Sequence, residues 1–462
     1  MSNIDSYQSE VVKSKNDILV IAGPGSGKTT TIINKVNYLL KETNSSQILL
    51  LSFTNKSVED IKKRLQANVY VTTFHKLAID ILKYNNINYK ICDTFLLDYI
   101  IDEYFLSLSN KDIKKLCRYL NTIKFNKHSQ EYISLKKLIK TFISLFKTNN
   151  HNINKLHNMI ASFKDKYLIN IILTILNRYE EEKQSTNTYD FDDLITVATK
   201  TLEKNYNYKK FKYIIVDEFQ DTSLIRLNLL KIIYDNSNSI ITAVGDDAQS
   251  IFHFSGCDLN IFLNFNKYFP RTKMIFLKNT YRNSQELIDI SSSFINKNKL
   301  QIEKHMQSTI HINNPIELIY YFNPIKAFKK ILNNLLNETD DIMILGRNKI
   351  DIKEYIDNDF EILKDELLYN KHHLKYLTIH SAKGLESKYV IILNMSNKTY
   401  GIPNKLENHP ILKYAEAEID PYPYAEERRV FFVAITRCKE KTFIMIPRNN
   451  PSVFIKELKK LL

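Results

Sequence analysis

A short apolar strand that runs directly into a glycine-rich loop is the feature that most restricts how this chain of 462 residues folds. Residues 18–22 read Ile-Leu-Val-Ile-Ala, and residues 23–29 read Gly-Pro-Gly-Ser-Gly-Lys-Thr. This order fits the phosphate-loop pattern, with Ala22 in place of its first glycine. Such a loop follows a strand and opens a helix, because its backbone N–H groups must converge on a phosphate at the helix N-terminus. The sequence therefore predicts an α/β fold that binds a nucleotide.

Apolar, β-rich runs recur along the whole chain, with helical patterns between them. The clearest runs form two series, at 18–22, 48–53, 213–217 and 240–245, and then at 274–277, 342–345, 389–393 and 442–446. Continuous apolar strands that are separated by helices are typical of parallel sheets covered on both faces. Two such series predict two α/β domains.

The pattern between the two halves of the first series is different. Residues 135–146 carry apolar side chains at helical spacing, with lysines on the opposite face. We therefore expect a helical insertion, whose lysines face either solvent or nucleic acid. The predicted domains are a first motor domain at 1–90 and 189–273, the insertion at 91–188, and a second motor domain at 274–462.

The chain is basic, with a formal net charge of +14. A positive field attracts polyanions, so nucleic acid is the first partner to consider, although lysines chosen for solubility would give the same balance. The four cysteines are widely separated and have no metal-ligand spacing, which is typical of reduced thiols in a cytosolic protein. With no apolar leader or membrane-length run, we expect a cytoplasmic, nucleoid-associated protein, or one of the nucleus or a viral factory if the source is not bacterial.

The residues of the phosphate loop predict how a nucleotide is held. Lys28 supplies a charge for the β- and γ-phosphates, and Thr29 a hydroxyl for Mg²⁺. The apolar run 213–217 ends in Asp217, placed to hold the Mg²⁺ shell, and is followed by Glu218, which can accept a proton from the attacking water. Together these two motifs predict an NTPase. The loop residues expected to contact ATP are Ala22, Gly23, Pro24, Gly25, Ser26, Gly27, Lys28, Thr29 and Thr30.

Further motifs accompany these two in a fixed order. They are Gln8 upstream of the phosphate loop, Phe-Thr-Asn-Lys at 53–56, Thr-Phe-His at 73–75, Asp-Phe-Asp-Asp-Leu at 190–194, Asp-Glu-Phe-Gln-Asp at 217–221, Val-Gly-Asp-Asp-Ala-Gln-Ser-Ile-Phe at 244–252, Asn-Thr-Tyr-Arg at 279–282, Leu-Thr-Ile-His-Ser-Ala-Lys-Gly-Leu-Glu at 377–386, and Glu-Glu-Arg-Arg at 426–429 with Val-Ala-Ile-Thr-Arg at 433–437. From about residue 8 to about residue 446, the chain resembles the UvrD/Rep/PcrA helicases of superfamily 1.

The resemblance implies two RecA-like motor domains that bind ATP and Mg²⁺ between them, with a helical insertion in the first. The implied activity is ATP-dependent 3′→5′ movement on single-stranded DNA with a 3′ tail, and RNA is the less favoured track. An ABC-type or SMC-type ATPase is excluded, because the Leu-Ser-Gly-Gly signature of those families is absent while the later helicase motifs are present.

On the nucleotide side, the resemblance assigns roles to residues of both domains. Gln8 presents its amide to the adenine edge, Tyr281 offers a ring for stacking, and Glu386 accepts from the ribose hydroxyl. Gln249 senses whether a γ-phosphate is present in the site. The resemblance further implies that two arginines of the second domain act as arginine fingers that stabilise transition-state charge when the domains close. These arginines are Arg282 and Arg437.

On the nucleic-acid side, the resemblance implies rings that stack on bases without reading their sequence. The rings are Phe53, His75, Phe252 and Phe254. Backbone contacts are expected from Thr54, Thr378 and His380.

The chain departs from the family pattern at three places. Ser255 stands where relatives have an arginine, which affects the coupling of ATP to DNA, and Thr30 stands where arginine is frequent. Only about 96 residues separate Arg282 from Thr378, where large relatives carry an extra helical domain called 2B. We expect 2B to be absent, or vestigial at about 350–375.

A second function remains open at this point. A DNA-sensing regulatory ATPase could control a partner nuclease, as in anti-phage defence systems of the Gabija type, since the sequence contains no nuclease motif of its own. The motifs do not distinguish DNA repair from antiviral defence as the pathway.

Overall fold

The computed structural model describes residues 4–122, 125–154, 156, 160, 162–405, 409–417 and 420–462. The strands are β1 (Ile18–Ala22), β2 (Ile48–Ser52), β3 (Tyr70–Thr73), β4 (Lys90–Ile91), β5 (Thr188–Tyr189), β6 (Tyr213–Val216), β7 (Ile240–Gly245), β8 (Lys273–Leu277), β9 (Ile316–Tyr321), β10 (Ile342–Gly346), β11 (Phe360–Leu363), β12 (Glu366–Tyr369), β13 (His372–Thr378), β14 (Ser387–Ile392) and β15 (Cys438–Pro447). The α-helices are α1 (Ser6–Lys13), α2 (Lys28–Leu39), α3 (Asn55–Arg64), α4 (Phe74–Tyr84), α5 (Leu96–Leu106), α6 (Asn110–Leu120), α7 (Gln130–Thr148), α8 (Phe163–Ser185), α9 (Phe191–Lys204), α10 (Leu224–Ser237), α11 (Leu259–Leu263), α12 (Phe265–Tyr268), α13 (Gln285–Ile295), α14 (Pro324–Leu336), α15 (Ala425–Ile435) and α16 (Val453–Leu458).

The first sheet has six parallel strands in the order β3-β2-β6-β7-β1-β8. All five residues of β1 are buried, because one apolar core lies on each face of this sheet. In a parallel sheet the carboxyl ends of all strands meet at one edge. The loops that follow β1, β2, β6 and β7 therefore lie on the same side of the molecule.

The second sheet has seven strands in the order β11-β12-β13-β10-β14-β15-β9. The strands from β13 to β9 run parallel, whereas β11 and β12 form an antiparallel hairpin that continues onto β13. Helices pack on both faces of this sheet and give it two cores as well. The predicted fold class of two RecA-like α/β domains is confirmed.

The helical insertion leaves and re-enters the first domain through two short paired strands, β4 and β5. Its helices α5 to α8 form a separate apolar core. The predicted helical insertion in the first domain is therefore confirmed. Of the helices whose residues are described, none has the length and apolar character that a membrane crossing requires.

Two expectations about the chain between the sheets are wrong. Strand β8 pairs with β1, so the first sheet continues to residue 277 and the boundary expected at residue 273 lies too early. An apolar run predicts a strand but carries no information about which sheet it joins. Residues 350–375 are not the vestige of a helical domain, since they include the β11–β12 hairpin at the edge of the second sheet.

A segment of the second domain packs into the core of the insertion. Ile411, Leu412 and Tyr414 are buried among the insertion's apolar side chains. The side-chain amide of Asn149 donates to the carbonyl of Ala415 at 2.9 Å. The insertion is therefore held by both domains, and we call residues 410–415 the clasp.

Candidate nucleotide and nucleic-acid sites

The phosphate loop joins the end of β1 to the start of α2, and its glycines are sterically required. Gly25 and Gly27 have φ of +69° and +76°, a region that other residues rarely adopt. A Cβ atom at Gly25 would lie 2.5 Å from the Cβ of Arg282, so the loop is also closely covered by the second domain. The backbone of the loop is thus free to converge on a phosphate, as the sequence predicts.

Lys28 and the two carboxylates after β6 meet at the base of the cleft. The ammonium group of Lys28 lies 3.0 Å from Glu218 Oε1, and Gln220 Nε2 donates to Glu218 Oε2 at 2.6 Å. Burial and the charge of Glu218 raise the pKa of Asp217 to about 7. Burial acts in the same direction on Glu218, but Lys28 and Lys383 outweigh it and lower the pKa of Glu218. The cleft therefore keeps Glu218 ionised beside the phosphate loop.

Glu218 has an unusual backbone conformation. Its φ is +50°, in the left-handed region that costs a residue with a Cβ atom of order 1 kcal/mol or more. The turn aims its carboxylate back at Lys28 instead of onward along the strand. Strain of this kind persists only where the surroundings impose it.

Gln8 and Tyr281 come together above the phosphate loop from opposite ends of the sequence. Gln8 Nε2 donates to the Ser26 carbonyl at 3.1 Å, and the backbone N–H of Tyr281 donates to the Gly25 carbonyl at 2.9 Å. Asp5 joins the two, since its carboxylate accepts from the Gln8 backbone at 2.7 Å and from the Tyr281 hydroxyl at 2.6 Å. The ring of Tyr281 remains 57% exposed and is free to stack on a base.

Two predicted residues at this edge have protein partners. Glu386 accepts from Arg282 Nε at 2.7 Å and lies 3.1 Å from Lys439 Nζ. The hydroxyl of Thr30, which stands where relatives often have arginine, accepts from Arg64 Nη2 at 3.0 Å. A guanidinium therefore reaches this position from α3 instead of from the loop itself.

Arg437 crosses from the second domain to the first. It is 1% exposed, and its Nη2 donates to Gln249 Oε1 at 3.1 Å. The amide nitrogen of Gln249 donates to Asp246 at 2.6 Å. Burial and the nearby charge of Arg282 lower the pKa of Arg437 to about 9, so it remains charged at neutral pH. The predicted sensor and one predicted arginine finger are thus in direct contact.

A second cation bridges the domains and was not singled out from the sequence. Lys383 Nζ lies 2.5 Å from the buried carboxylate of Asp221 and donates to the Gln249 carbonyl at 2.7 Å. Lys383 lies within the motif at 377–386, between the predicted contacts His380 and Glu386. The sequence analysis identified this motif but assigned no role to Lys383.

Aromatic residues of both domains lie beyond the carboxyl ends of the strands. Phe252, Phe254 and His380 form one cluster with ring centroids 5.5 to 6.2 Å apart, and Phe254 is 56% exposed. Burial, with smaller effects from Arg347 and Lys383, lowers the pKa of His380 to about 4. The imidazole is therefore an uncharged ring at neutral pH.

The predicted contacts of the first domain form separate pairs. Phe53 packs on Phe74 at 5.5 Å between centroids, and the guanidinium of Arg226 lies 5.3 Å above the Phe53 ring. His75 meets the edge of Phe191 at 5.7 Å. Phe191 is 52% exposed, and sequence reasoning missed it although it lies in the quoted motif 190–194.

The remaining predicted positions lie at turns after strands. Thr54 caps α3 by accepting from the Ser57 backbone at 3.1 Å, and the hydroxyl of Thr378 contacts that of Ser381 at 2.9 Å. Ser255 donates to the Phe252 carbonyl at 2.8 Å and so closes its own turn.

Three carboxylates near the insertion, Glu180, Asp190 and Asp193, are neutralised by Lys147 and Lys183.

A phosphate loop, paired carboxylates and cationic residues that cross between two RecA-like sheets define a P-loop NTPase with a two-domain cleft. The family model of the UvrD/REP helicase N-terminal domain matches residues 4–270, and that of the UvrD-like helicase C-terminal domain matches residues 361–449. The chain belongs to the UvrD/REP helicase family.

Curated relatives match most of the chain. DNA helicase IV of Escherichia coli (strain K12) is 27% identical over 481 residues, which cover 98% of this chain and 69% of the relative. ATP-dependent DNA helicase Rep of Buchnera aphidicola subsp. Acyrthosiphon pisum is 31% identical over 72% of this chain and 51% of its own length. ATP-dependent DNA helicase PcrA of Staphylococcus aureus (strain Mu50) is 28% identical over 70% and 43%.

The chain thus spans between 43% and 69% of the length of these relatives. Their names describe DNA helicases, and none of them supports the alternative of a nuclease-controlling subunit or a role in antiviral defence.

Proposed function

We propose that this chain is an ATP-dependent DNA helicase motor that moves 3′→5′ along single-stranded DNA. The observation that carries the proposal is the contact between Arg437 of the second domain and Gln249 of the first, at the edge of the phosphate-loop cleft. A residue that reaches the nucleotide from the opposite domain makes hydrolysis depend on the closure of the cleft. Closure and opening would then alternate with each ATP and move the strand.

Lys28 and Glu218 would change partners when ATP enters. In the structure they neutralise each other at 3.0 Å. A γ-phosphate beside Lys28 replaces the carboxylate as its counter-charge, which releases Glu218 to accept a proton from the attacking water. ATP binding thereby exposes the general base only when its substrate is present.

The residues beside this pair suit a magnesium ion. Asp217 is a buried carboxylate whose pKa is raised by burial and by the charge of Glu218, in spite of the nearby Lys28 and Lys383. Hard oxygen ligands of this kind are those that Mg²⁺ prefers. Asp217 and the hydroxyl of Thr29 would hold the ion. When bound, Mg²⁺ neutralises charge on the β- and γ-phosphates.

The base and ribose would be held above the loop. Tyr281 stacks on adenine and Gln8 faces its edge, both steadied by Asp5. Glu386 accepts from Arg282 in the structure, and a ribose hydroxyl would compete for the same carboxylate. Occupancy by ATP would thus release Arg282 toward the phosphates, where it joins Arg437.

Single-stranded DNA would lie across the carboxyl ends of both sheets. The rings that would stack on bases are those of the cluster Phe252, Phe254 and His380, together with Phe53 and His75. Stacking on uncharged rings tolerates any base, which a translocating motor requires. Backbone contacts come from Thr54 and Thr378, and the net charge of +14 favours capture of the polyanion.

The decisive experiment compares Lys28→Ala with Glu218→Gln. Both variants should lose DNA-stimulated ATP hydrolysis, but for different reasons. Lys28→Ala loses the counter-charge of the phosphate and should bind ATP weakly, whereas Glu218→Gln keeps that contact and should bind ATP about as well as wild type. Nucleotide titration beside a phosphate-release assay separates the two. Normal hydrolysis by Glu218→Gln would remove it as the general base.

DNA binding is tested separately by salt and by ring removal. Affinity for single-stranded DNA should fall with salt at a slope of about −0.7 per neutralised phosphate. Phe254→Ala should weaken binding by about 1–3 kcal/mol with the slope unchanged, because stacking is not ionic. Phe95→Ala, which removes a 61% exposed ring from the insertion, is the matched control and should bind as wild type does.

A further inference from the structure

Lys304 lies on the irregular segment between α13 and β9, and it is buried against two carboxylates of the first domain. Its Nζ lies 2.6 Å from Asp246 Oδ1 and also contacts Asp247. Both aspartates are fully buried. Two neighbouring carboxylates in a dry environment are costly unless a cation neutralises them, and Lys304 does so.

Asp246 connects this lysine to the γ-phosphate sensor. Its Oδ1 accepts from Lys304 and from the Ala248 backbone at 3.1 Å, while its Oδ2 accepts from Gln249 Nε2 at 2.6 Å. Because the amide nitrogen of Gln249 is held in this way, its amide oxygen faces Arg437, whose Nη2 donates to it at 3.1 Å. Hydrogen bonds and an ion pair therefore connect Lys304, Asp246, Gln249 and Arg437 in series.

The same segment also covers the phosphate loop. A Cβ atom at Gly23 would lie 2.9 Å from the sulfur of Met306. The Gln307 carbonyl accepts from the Thr280 backbone at 2.9 Å, and its N–H donates to the Lys278 carbonyl at 2.7 Å. Lys304 is therefore carried by a segment that contacts both the nucleotide loop and the sensor.

We propose that Lys304 is a positioning residue for hydrolysis, which fixes Asp246 and through it the orientation of Gln249 and Arg437. The inference rests on the proposed ATPase function and extends it to a residue that touches no substrate atom. Without Lys304, Asp246 and Asp247 lose the cation that contacts both of them, so the geometry that presents Gln249 to Arg437 is lost. ATP itself is held by other residues, so its binding is expected to persist.

The experiment is a double-mutant cycle on ATP turnover at saturating single-stranded DNA. Lys304→Met should lower kcat by about tenfold while KM for ATP stays within about threefold. In the Gln249→Ala background, Lys304→Met should have no further effect on kcat, because its route to the phosphate is already removed. A general structural role would instead lower kcat equally in both backgrounds, and that additive result overturns the inference.

Lys329→Met is the matched control, since Lys329 also pairs with two aspartates, Asp357 and Asp359, on the outer side of the second domain. It should leave kcat unchanged. If Lys304→Met does not fold, Lys304→Gln removes the charge with less loss of polarity. We expect it to lower kcat in the wild-type background and to have no further effect in the Gln249→Ala background. A wild-type chain without ATPase activity refutes the proposed function, whereas an active wild type with wild-type kcat in the Lys304 variant refutes only this inference.

Discussion

At the scale of single residues, the cleft is organised around a buried cation, Arg437, that donates to uncharged acceptors. Arg437 is 1% exposed and donates to Gln249 and to the Val433 carbonyl, and no carboxylate is among its hydrogen-bond acceptors in the part of the chain that the structure describes. A guanidinium held in this way is ready to take an anionic partner. The γ-phosphate in the transition state is the partner that the proposed function supplies.

Arg437→Ala should therefore lower ATP turnover by about 10³-fold or more while ATP affinity changes by less than about tenfold, the pattern of a contact made mainly in the transition state. Arg282→Ala should behave similarly. Arg428→Ala is the control, because Arg428 is a buried arginine of the preceding helix α15 that pairs with Glu457 of the second domain instead of reaching the first domain. Steady-state kinetics beside nucleotide titration decides the matter. Equal losses of kcat in Arg437→Ala and Arg428→Ala would indicate general damage to the second domain.

The motifs predicted which side chains enter the cleft, but they did not predict what holds those side chains in place. Gln8, Lys28 and Arg437 lie around the phosphate loop and its cleft, and their roles toward a nucleotide stay predictions that rest on the chemistry of each residue type. Asp5 and Lys304 carry no such signal. Their roles depend on long-range contacts, with Tyr281 and Asp246 respectively, that periodicity and spacing do not encode.

At the scale of elements, the turn that carries Phe252 and Phe254 is tightly packed against the insertion. Gly256 ends this turn with φ of +83°, and a Cβ atom there would lie 2.5 Å from Thr148 Cγ2 at the end of α7. The insertion thus contacts the segment that follows Gln249 and carries Phe252 and Phe254. Glycine is therefore required at this position for two reasons, the positive φ angle and the close approach of Thr148.

Gly256→Ala should lower the thermal midpoint more than Gly384→Ala does. Gly384 has nearly the same φ, +82°, but a Cβ atom there would meet nothing within 4 Å. Both variants bear the left-handed strain of about 1–2 kcal/mol, and only Gly256→Ala adds the overlap with Thr148, of about 1–3 kcal/mol. Thermal denaturation of both variants measures the difference. Equal thermal midpoints for the two variants would show that Thr148 moves away and accommodates the added methyl group.

The elements themselves were only partly predictable. The strands β1, β2, β6 and β7 were found, because a strand that is buried on both faces is a continuous run of apolar residues in the sequence. Strands β11 to β13 were missed, since none of them is a continuous buried run: β11 is the edge strand and has no buried residue, and β12 and β13 mix buried with exposed positions. Strand β8 was found but placed in the wrong domain, because only pairing decides the sheet to which a run belongs.

At the scale of the whole molecule, the clasp at 410–415 makes the insertion a shared element of both domains. Leu412 is 5% exposed within the insertion's core, and Tyr414 donates to Asp165 of α8 at 3.0 Å. Movement of the second domain against the first must therefore either carry the insertion along or withdraw the clasp.

Leu412→Ala should loosen this attachment. Truncation of a buried leucine costs about 2–5 kcal/mol, and here the cost falls on the contact between insertion and second domain. We expect faster amide hydrogen exchange in α7 and α8, while the strands of both sheets keep their protection. Leu106→Ala is the control, because Leu106 lies in the insertion but is 76% exposed, so its truncation removes no buried contact. Unchanged exchange in the Leu412 variant would mean that the clasp contributes nothing to the attachment.

The short connection between Arg282 and Thr378 determines what we expect of the motor as a whole. In large relatives a helical domain stands there, and the resemblance implies that it contacts the duplex and restrains the motor. In this chain the same interval includes β9, β10, the β11–β12 hairpin and helices α13 and α14, all built onto the second domain. The residues proposed to bind ATP and to stack on DNA lie outside this interval or at its ends. ATP hydrolysis and stepping along one strand are therefore expected to persist, and we expect a weaker grip on the duplex.

We expect efficient DNA-stimulated ATPase and 3′→5′ translocation by the monomer, but weak unwinding unless a partner or a second copy supplies the duplex contact. Opening a duplex costs on the order of 1.4 kcal/mol per base-pair step, so a motor with a poor grip slips back before it separates the strands. Stopped-flow translocation on labelled single strands, beside unwinding of a 3′-tailed duplex of about 20 base pairs, separates the two activities. Glu218→Gln serves as the control without turnover. Processive unwinding by a verified monomer would contradict the expectation and would transfer the duplex-engaging role to the helical insertion, which the clasp already ties to the second domain.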